Sequence, residues 1–109
     1  MYVRMFSPNI LPGKEHDFET MWAEMYIPIW KSHQGFVSAT LLRCLEQQDL
    51  DGVVTDMSGK KKYTAVAFWQ SEDAFKAYKY SDSAKPITAR LKSLADGSVA
   101  QGYESVAER

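Results

Sequence analysis

Residues 62–70, Lys-Tyr-Thr-Ala-Val-Ala-Phe-Trp-Gln, read as a β-strand that is apolar on both sides. With a side-chain period of two, Tyr63, Ala65, Ala67 and Trp69 share one face, and Thr64, Val66 and Phe68 share the other. Residues 36–46 repeat the pattern, with Val37, Ala39, Leu41 and Leu45 set against Phe36, Leu42 and Cys44. A sheet built on such strands needs cover on both faces. Helices supply one cover; in a chain of 109 residues the other is expected to come from a second copy. A homodimer is therefore expected.

The remaining elements follow from changes of period. Residues 2–7 alternate and are rich in β-formers until Pro8 and Pro12-Gly13 break the run, which gives a first strand. From 14 to about 32 the period becomes helical: at 100° per residue from Phe18, Met25 and Ile29 fall within about 20° of it, with Met21 on one side and Trp22 on the other. Glu15 and Asp17 suit the positive start of this helix, Lys31 and His33 suit its end, and Gly35 can supply the left-handed closing residue. Pro28 removes a hydrogen bond to the Glu24 carbonyl, so a kink is expected in the last turn and a half.

Ser71 caps a short helix that turns Ala74, Phe75 and Tyr78 inward. A second helix starts at Asp82-Ser83, buries Ile87, Leu91, Leu94 and Ala95, and is expected to close at Gly97. Residues 99–107 make a last strand, and 47–61 a long polar hairpin inserted between the second and third. The order βαββααβ defines one α+β domain over 1–109, with an antiparallel sheet and helices on one face.

Composition narrows the function. Thirteen Lys plus Arg stand against fourteen Asp plus Glu, without the basic face a nucleic-acid binder needs. The run Lys60-Lys61-Lys62 follows the turn signal Ser58-Gly59 and reads as a solvated hairpin shoulder. Arg4, Ser7, Pro8 and Asn9 interrupt the apolar start, which is unlike a signal peptide, and no run approaches a membrane span; a cytoplasmic location and no membrane partner are expected. His16 and His33 lie at opposite ends of one helix, too far apart for a ligand pair, and the single thiol, Cys44, forms no intrachain disulfide and reads as a small buried hydrophobe. The glycines are dispersed, with no phosphate cradle. Neither metal nor other cofactor is expected.

What stands out is a load of fourteen aromatic residues, three Trp, six Tyr and five Phe. On the helical wheel Trp22, His33, Tyr26 and Trp30 fall at about 40°, 60°, 80° and 120° from Phe18, one edge of the first helix. Two readings are open. The rings fill the gap between helix and sheet, with His33 complementing the helix end; or they wall a pocket in which His33 moves a proton, imidazole being the side chain that titrates near neutrality. In the second reading Ala65 and Ala67 leave space in the strand, Phe68 and Trp69 add rings, and Tyr78 closes the far side.

Three segments carry a resemblance: Leu-Pro-Gly-Lys-Glu-His-Asp-Phe-Glu at 11–19, Ile-Pro-Ile-Trp-Lys-Ser-His-Gln-Gly-Phe at 27–36, and Phe-Trp-Gln-Ser-Glu-Asp-Ala-Phe-Lys-Ala-Tyr at 68–78, with Ser-Asp at 81–82. Together the chain resembles the antibiotic biosynthesis monooxygenase family. The resemblance implies ferredoxin-like protomers paired into a dimeric α/β barrel. It also implies either cofactor-free oxygenation of quinols, anthrones and related phenols, or heme degradation. At the positions where heme-degrading members carry Asn, Trp and His, this chain has Phe6, Tyr78 and Thr88. Where the polyketide oxygenases carry Asn four residues before the strand Trp, it has Ala65 before Trp69. The expectation is a cofactor-independent monooxygenase for a small aromatic, quinol or polyketide-like substrate and O2, with His33 as base and Trp22, Tyr26, Trp30, Phe68, Trp69 and Tyr78 as pocket wall. The alternatives are a non-catalytic small-molecule-binding or stress-related dimeric barrel and a heme-degrading monooxygenase.

Overall fold

A computed structural model describes residues 1–107. Along the chain come β1 (Tyr2–Ile10), α1 (Glu15–Met21), a π-helical turn (Trp22–Tyr26), α2 (Ile27–Lys31), β2 (Phe36–Arg43), β3 (Glu46–Gln48) and β4 (Val54–Asp56). A 3-10 turn (Ser58–Lys60), β5 (Tyr63–Trp69), α3 (Glu72–Lys79), α4 (Ala84–Leu94) and β6 (Ala95–Glu104) follow. The main sheet is antiparallel in the order β2-β5-β1-β6, a ferredoxin-like arrangement, and β3 and β4 pair with each other as a separate hairpin.

Alternation on β5 is complete: Tyr63, Ala65, Ala67 and Trp69 are buried, while Thr64, Val66 and Phe68 are half-buried. The helices cover the first set, joining Phe18, Met21, Tyr26, Trp30, Phe75, Tyr78, Ile87 and Leu94 in one core. On β2, strict alternation fails at its start. Phe36 pairs with Trp69 and Ser38 with Phe68, so Val37 is an extra residue in the ladder. This bulge turns Phe36 to the helix side, where it joins Ala39 and Leu41 against the core instead of opposing them.

The long helix accommodates Pro28 through a π-helical turn. The Ile27 N–H donates to the Trp22 carbonyl, five residues back, so the turn ahead of Pro28 is wide. A proline ring would collide with the Glu24 carbonyl in an unbroken α-helix, and the wide turn places Pro28 near the start of a fresh α-helical segment. The extra residue rotates the buried stripe. Past the turn Tyr26 and Trp30 are the buried residues, at 4% and 3% exposure, while Met25 and Ile29, the expected centre, are only half-buried.

Ser71 caps α3 as expected, its Oγ accepting from the Ala74 N–H at 3.1 Å. The end of α4 does not need Gly97: Ala95 is already extended, and β6 begins there, four residues earlier than the alternation at 99–107 suggests. A hydrogen bond from the Leu11 N–H to the Leu94 carbonyl, 2.8 Å, sets the start of β6 beside the end of β1. Cys44 lies just past the end of β2 and is half-buried, not a core residue; its thiol donates to the Glu46 carbonyl at 3.4 Å. In the hairpin, Asp49 Oδ1 accepts from the backbone of Asp51 and Val53 and shapes the tip, leaving Leu50 fully exposed.

On the sheet face away from the helices, Val3, Met5, Val66 and Phe68 are half-buried, and Val37, Leu42, Val99 and Tyr103 are exposed. Among the described residues no helix is long and apolar enough to cross a membrane.

Candidate functional site

Residues on the helix side of β1 and β6 do not all touch a helix. Between these strands and the helices α3 and α4 lies an open cavity of about 240 Å³. Arg4 and Phe6 of β1 and Ser98 and Ala100 of β6 form its floor. Phe75, Tyr78 and Lys79 of α3, Ala84, Ile87, Thr88 and Leu91 of α4, and Tyr26 and Trp30 from the long helix form its walls.

The rings interlock. Tyr26 and Trp30 meet edge to face at 5.2 Å, Tyr26 lies 5.5 Å from Phe6, and Trp30 stands at 87° to Tyr78 with centroids 5.9 Å apart. Such tilted and T-shaped contacts satisfy the ring quadrupoles and hold the walls rigid. Burial pushes the Tyr26 phenol well above the usual tyrosine range, and the neighbouring Tyr78 adds to the shift. Burial also raises Tyr78, opposed in part by the nearby Trp30 indole. Both phenols are therefore neutral hydrogen-bond donors at physiological pH. The indole nitrogens of Trp30 and Trp69 are buried without hydrogen-bond partners among the described residues.

Of the residues singled out in the sequence, Tyr26, Trp30 and Tyr78 are brought together at the cavity. Trp22 is half-buried behind them, 5.5 Å from both Tyr26 and Trp30. Trp69 is fully buried and supports Tyr78 from below, the two rings nearly parallel at 5.7 Å. Phe68 is not brought to this cavity: it lies on the other face of the sheet, because β5 alternates and the Trp69 face is the one the helices cover. His33 lies outside the lining, its ring edge-on to Tyr78 at 5.3 Å. Ala65 and Ala67 are sealed in the core, at 0% and 1% exposure, and do not border the cavity, so the space comes from the gap under α3 and α4. Phe6, Tyr78 and Thr88, the positions located by resemblance, do converge on it.

The residue the sequence reading missed is Arg4. Alternation along residues 2–6 places it between Tyr2 and Phe6 on the inward face of the first strand, and a charge there was the available signal. In the structure its guanidinium carbon stands 4.8 Å over the Phe75 ring, and Nη1 donates to the Tyr2 hydroxyl at 3.4 Å. Gly102, paired with Arg4 across β6, makes room: a Cβ there would overlap the Tyr2 hydroxyl. Among the described residues no cluster of His, Cys, Asp and Glu is arranged to hold a metal ion.

A ferredoxin-like protomer with an aromatic cavity between its helices and the inner face of its sheet is the class this geometry defines. The chain belongs to the antibiotic biosynthesis monooxygenase family, whose model matches residues 1–90. Solved structures agree in fold. The cofactor-independent oxygenase SnoaB from Streptomyces nogalater is 22% identical with a TM-score of 0.71, the match covering 98% of this chain and 95% of that one. A mutant of MhuD with two manganese protoporphyrin IX bound per active site is 21% identical with a TM-score of 0.72, over 100% and 98% of the two chains. A putative antibiotic biosynthesis monooxygenase from Nitrosomonas europaea is 12% identical with a TM-score of 0.72, over 98% and 100%. No curated protein matches the chain in sequence.

Proposed function

We propose that this chain is a cofactor-independent monooxygenase that oxidises a small aromatic, quinol-like substrate with O2 in the cavity between β1, β6 and the helices. The observation that carries the reading is the cavity wall itself: Tyr26, Trp30, Phe75 and Tyr78 present flat, rigid rings around a space sized for a flat ligand. SnoaB, similar in fold, is a cofactor-independent oxygenase.

In this reading the substrate supplies the electrons. Loss of a proton from a phenol or an adjacent CH2 gives an anion that donates to O2. The oxygen joins carbon as a hydroperoxide, and loss of water leaves C=O, so that CH2 and O2 become C=O and H2O. The protein binds, orients and deprotonates. His33 is the proposed base; its ring packs against Tyr78, which lines the cavity, and the proposed path of the proton runs past the Tyr78 phenol. The apolar outer face of the sheet, with Val66, Phe68, Leu42 and Val99, is the proposed seat of a second copy.

A second reading, a dimeric barrel that binds its ligand without turnover, is favoured by one observation. The sheet floor beneath the rings offers Phe6 to the cavity and seals Ala65 away from it, so neither position supplies an amide to hold a reacting oxygen. Heme fits poorly, since Thr88 brings a hydroxyl and no imidazole to the cavity. The deciding experiment is oxygen uptake by the chelator-treated protein with reduced quinones and anthrones, beside His33→Ala and a protein-free blank. Uptake above the blank that is lost in the variant supports the oxygenase; no uptake over a broad panel supports the binding protein.

A further inference from the structure

We propose that the cavity binds an aromatic carboxylate, with Arg4 as the residue that holds the carboxylate group. This names the substrate class of the site described under the proposed function, but it rests on binding geometry and stands or falls apart from turnover.

A guanidinium on the inward face of a central strand loses hydration, a cost that side chains usually recover through an anionic partner. Arg4 has none. Among the described residues the ion pairs are Lys76 with Glu72 and Lys85 with Asp82, both on exposed helix surface, and no carboxylate stands within 4.0 Å of Arg4. Its hydrogen bond to the Tyr2 hydroxyl is long, 3.4 Å, and uses one of five N–H donors. The group is nevertheless held in place. Phe75 lies under it at 4.8 Å, Tyr2 stacks beside Phe75 at 5.5 Å, and Gly102 leaves the space in which the Tyr2 hydroxyl sits. A fixed planar fork with unused donors matches a carboxylate, which can accept two parallel bonds.

The rest of the cavity agrees. Among the described residues no acidic side chain lines it, while Arg4 and Lys79 do, so its fixed charge is positive. Thr88, Ser98 and the two protonated phenols add neutral donors and acceptors. A volume of about 240 Å³ lies below the roughly 300–1,000 Å³ of drug-sized pockets and suits one or two fused rings. The occupant that satisfies both the rings and the charge is a mono- or bicyclic aromatic acid.

The test is equilibrium binding to the intact protein, read by calorimetry and by quenching of tryptophan fluorescence, with 2-naphthoate, 2-naphthamide and 2-naphthol at neutral pH. The three probes share a ring system, and only the first is charged. The expected result is that the acid binds at least about tenfold more tightly than the amide or the naphthol. Arg4→Gln should abolish the preference and Arg4→Lys should restore it in part. Equal affinity for acid and amide in the unmodified protein, or no binding of any probe at millimolar concentration, overturns the proposal without any variant. A preference that survives Arg4→Gln in a variant with an unchanged circular dichroism spectrum overturns the role of Arg4. Oxygen uptake is not read in this test: naphthoate binding without turnover upholds the carboxylate site while the oxygenase reading fails, and oxidation of neutral quinols with no acid preference does the reverse.

Discussion

The His33 imidazole meets the Tyr78 phenol edge to face, with ring centroids 5.3 Å apart and planes at 83°. Tyr78 in turn lies almost flat on the buried Trp69. The imidazole thus touches the cavity wall without lining the cavity, and its chemistry has to pass Tyr78. If His33 is the base, His33→Ala lowers kcat by about 100-fold or more. Tyr78→Phe, which keeps both ring contacts and removes only the hydroxyl, reports on the path. It should lower kcat while leaving the melting temperature nearly unchanged. Equal turnover in all three proteins would remove both residues from the proton path.

The long helix ends at Lys31 with Ser32 as its cap, so Gly35 is not its closing residue; it stands in the turn before β2 at φ +91°, and a Cβ placed there would lie 2.5 Å from the Ala74 Cβ. The chain therefore passes α3 at a distance only glycine permits. Gly35→Ala combines left-handed strain with a steric overlap and should cost about 1–3 kcal/mol or more. Urea denaturation measures it; a midpoint equal to that of the unmodified protein would show that α3 and the turn are free to separate.

The Tyr63 hydroxyl donates to Glu19 Oε2 at 2.6 Å. Burial, then this hydrogen bond and the Glu19 charge, push the phenol from 10.0 up to about 12. Folding therefore holds the proton more tightly than the unfolded chain does. The associated stability is fully present below pH 10 and is lost as the pH rises from 10 toward 12. Tyr63→Phe should show a shallower loss of stability across that window in alkaline denaturation. Identical slopes would mean that folding does not raise the Tyr63 phenol.

Phe68 projects from the helix-free face of the sheet, beside Val66 and across from Val3. Phe68→Asp places a charge in the middle of that face. Sedimentation should show a dimer for the unmodified chain and a monomer for the variant, with the helical circular dichroism signal retained. A dimer in both would place the contact elsewhere.

The fold was legible in the sequence chiefly because β5 obeys a strict period of two. The Tyr63, Ala65, Ala67, Trp69 set is buried as a block, and Ser71 caps α3 as its position implies. Legibility fails where one residue is added to a regular element. The wide turn at Trp22–Tyr26 moves the buried stripe from Met25 and Ile29 to Tyr26 and Trp30, and the bulge at Val37 turns Phe36 inward. Neither shift leaves a mark in an ideal wheel or ladder. The site was half legible. Tyr26, Trp30 and Tyr78 are recognisable as rings, but the cavity beside them is made by α4 and β6 residues of ordinary type, such as Thr88, Ser98 and Ala100. Their meeting with Arg4 is set by packing between distant parts of the chain. Phe68 looked equivalent to Trp69 because adjacent aromatic residues on a two-faced strand differ only in which face the helices choose.

If the substrate and O2 react in the cavity with no other electron source, the oxygen gained by the product comes from dioxygen. Isotopically heavy dioxygen tests this, with the chelator-treated protein, a reduced quinone or anthrone, and mass spectrometry of the product. One heavy oxygen atom is expected in each oxidised product, formed faster than in the protein-free control and suppressed in His33→Ala. Product carrying only solvent oxygen, or label entering no faster than in the control, would contradict it.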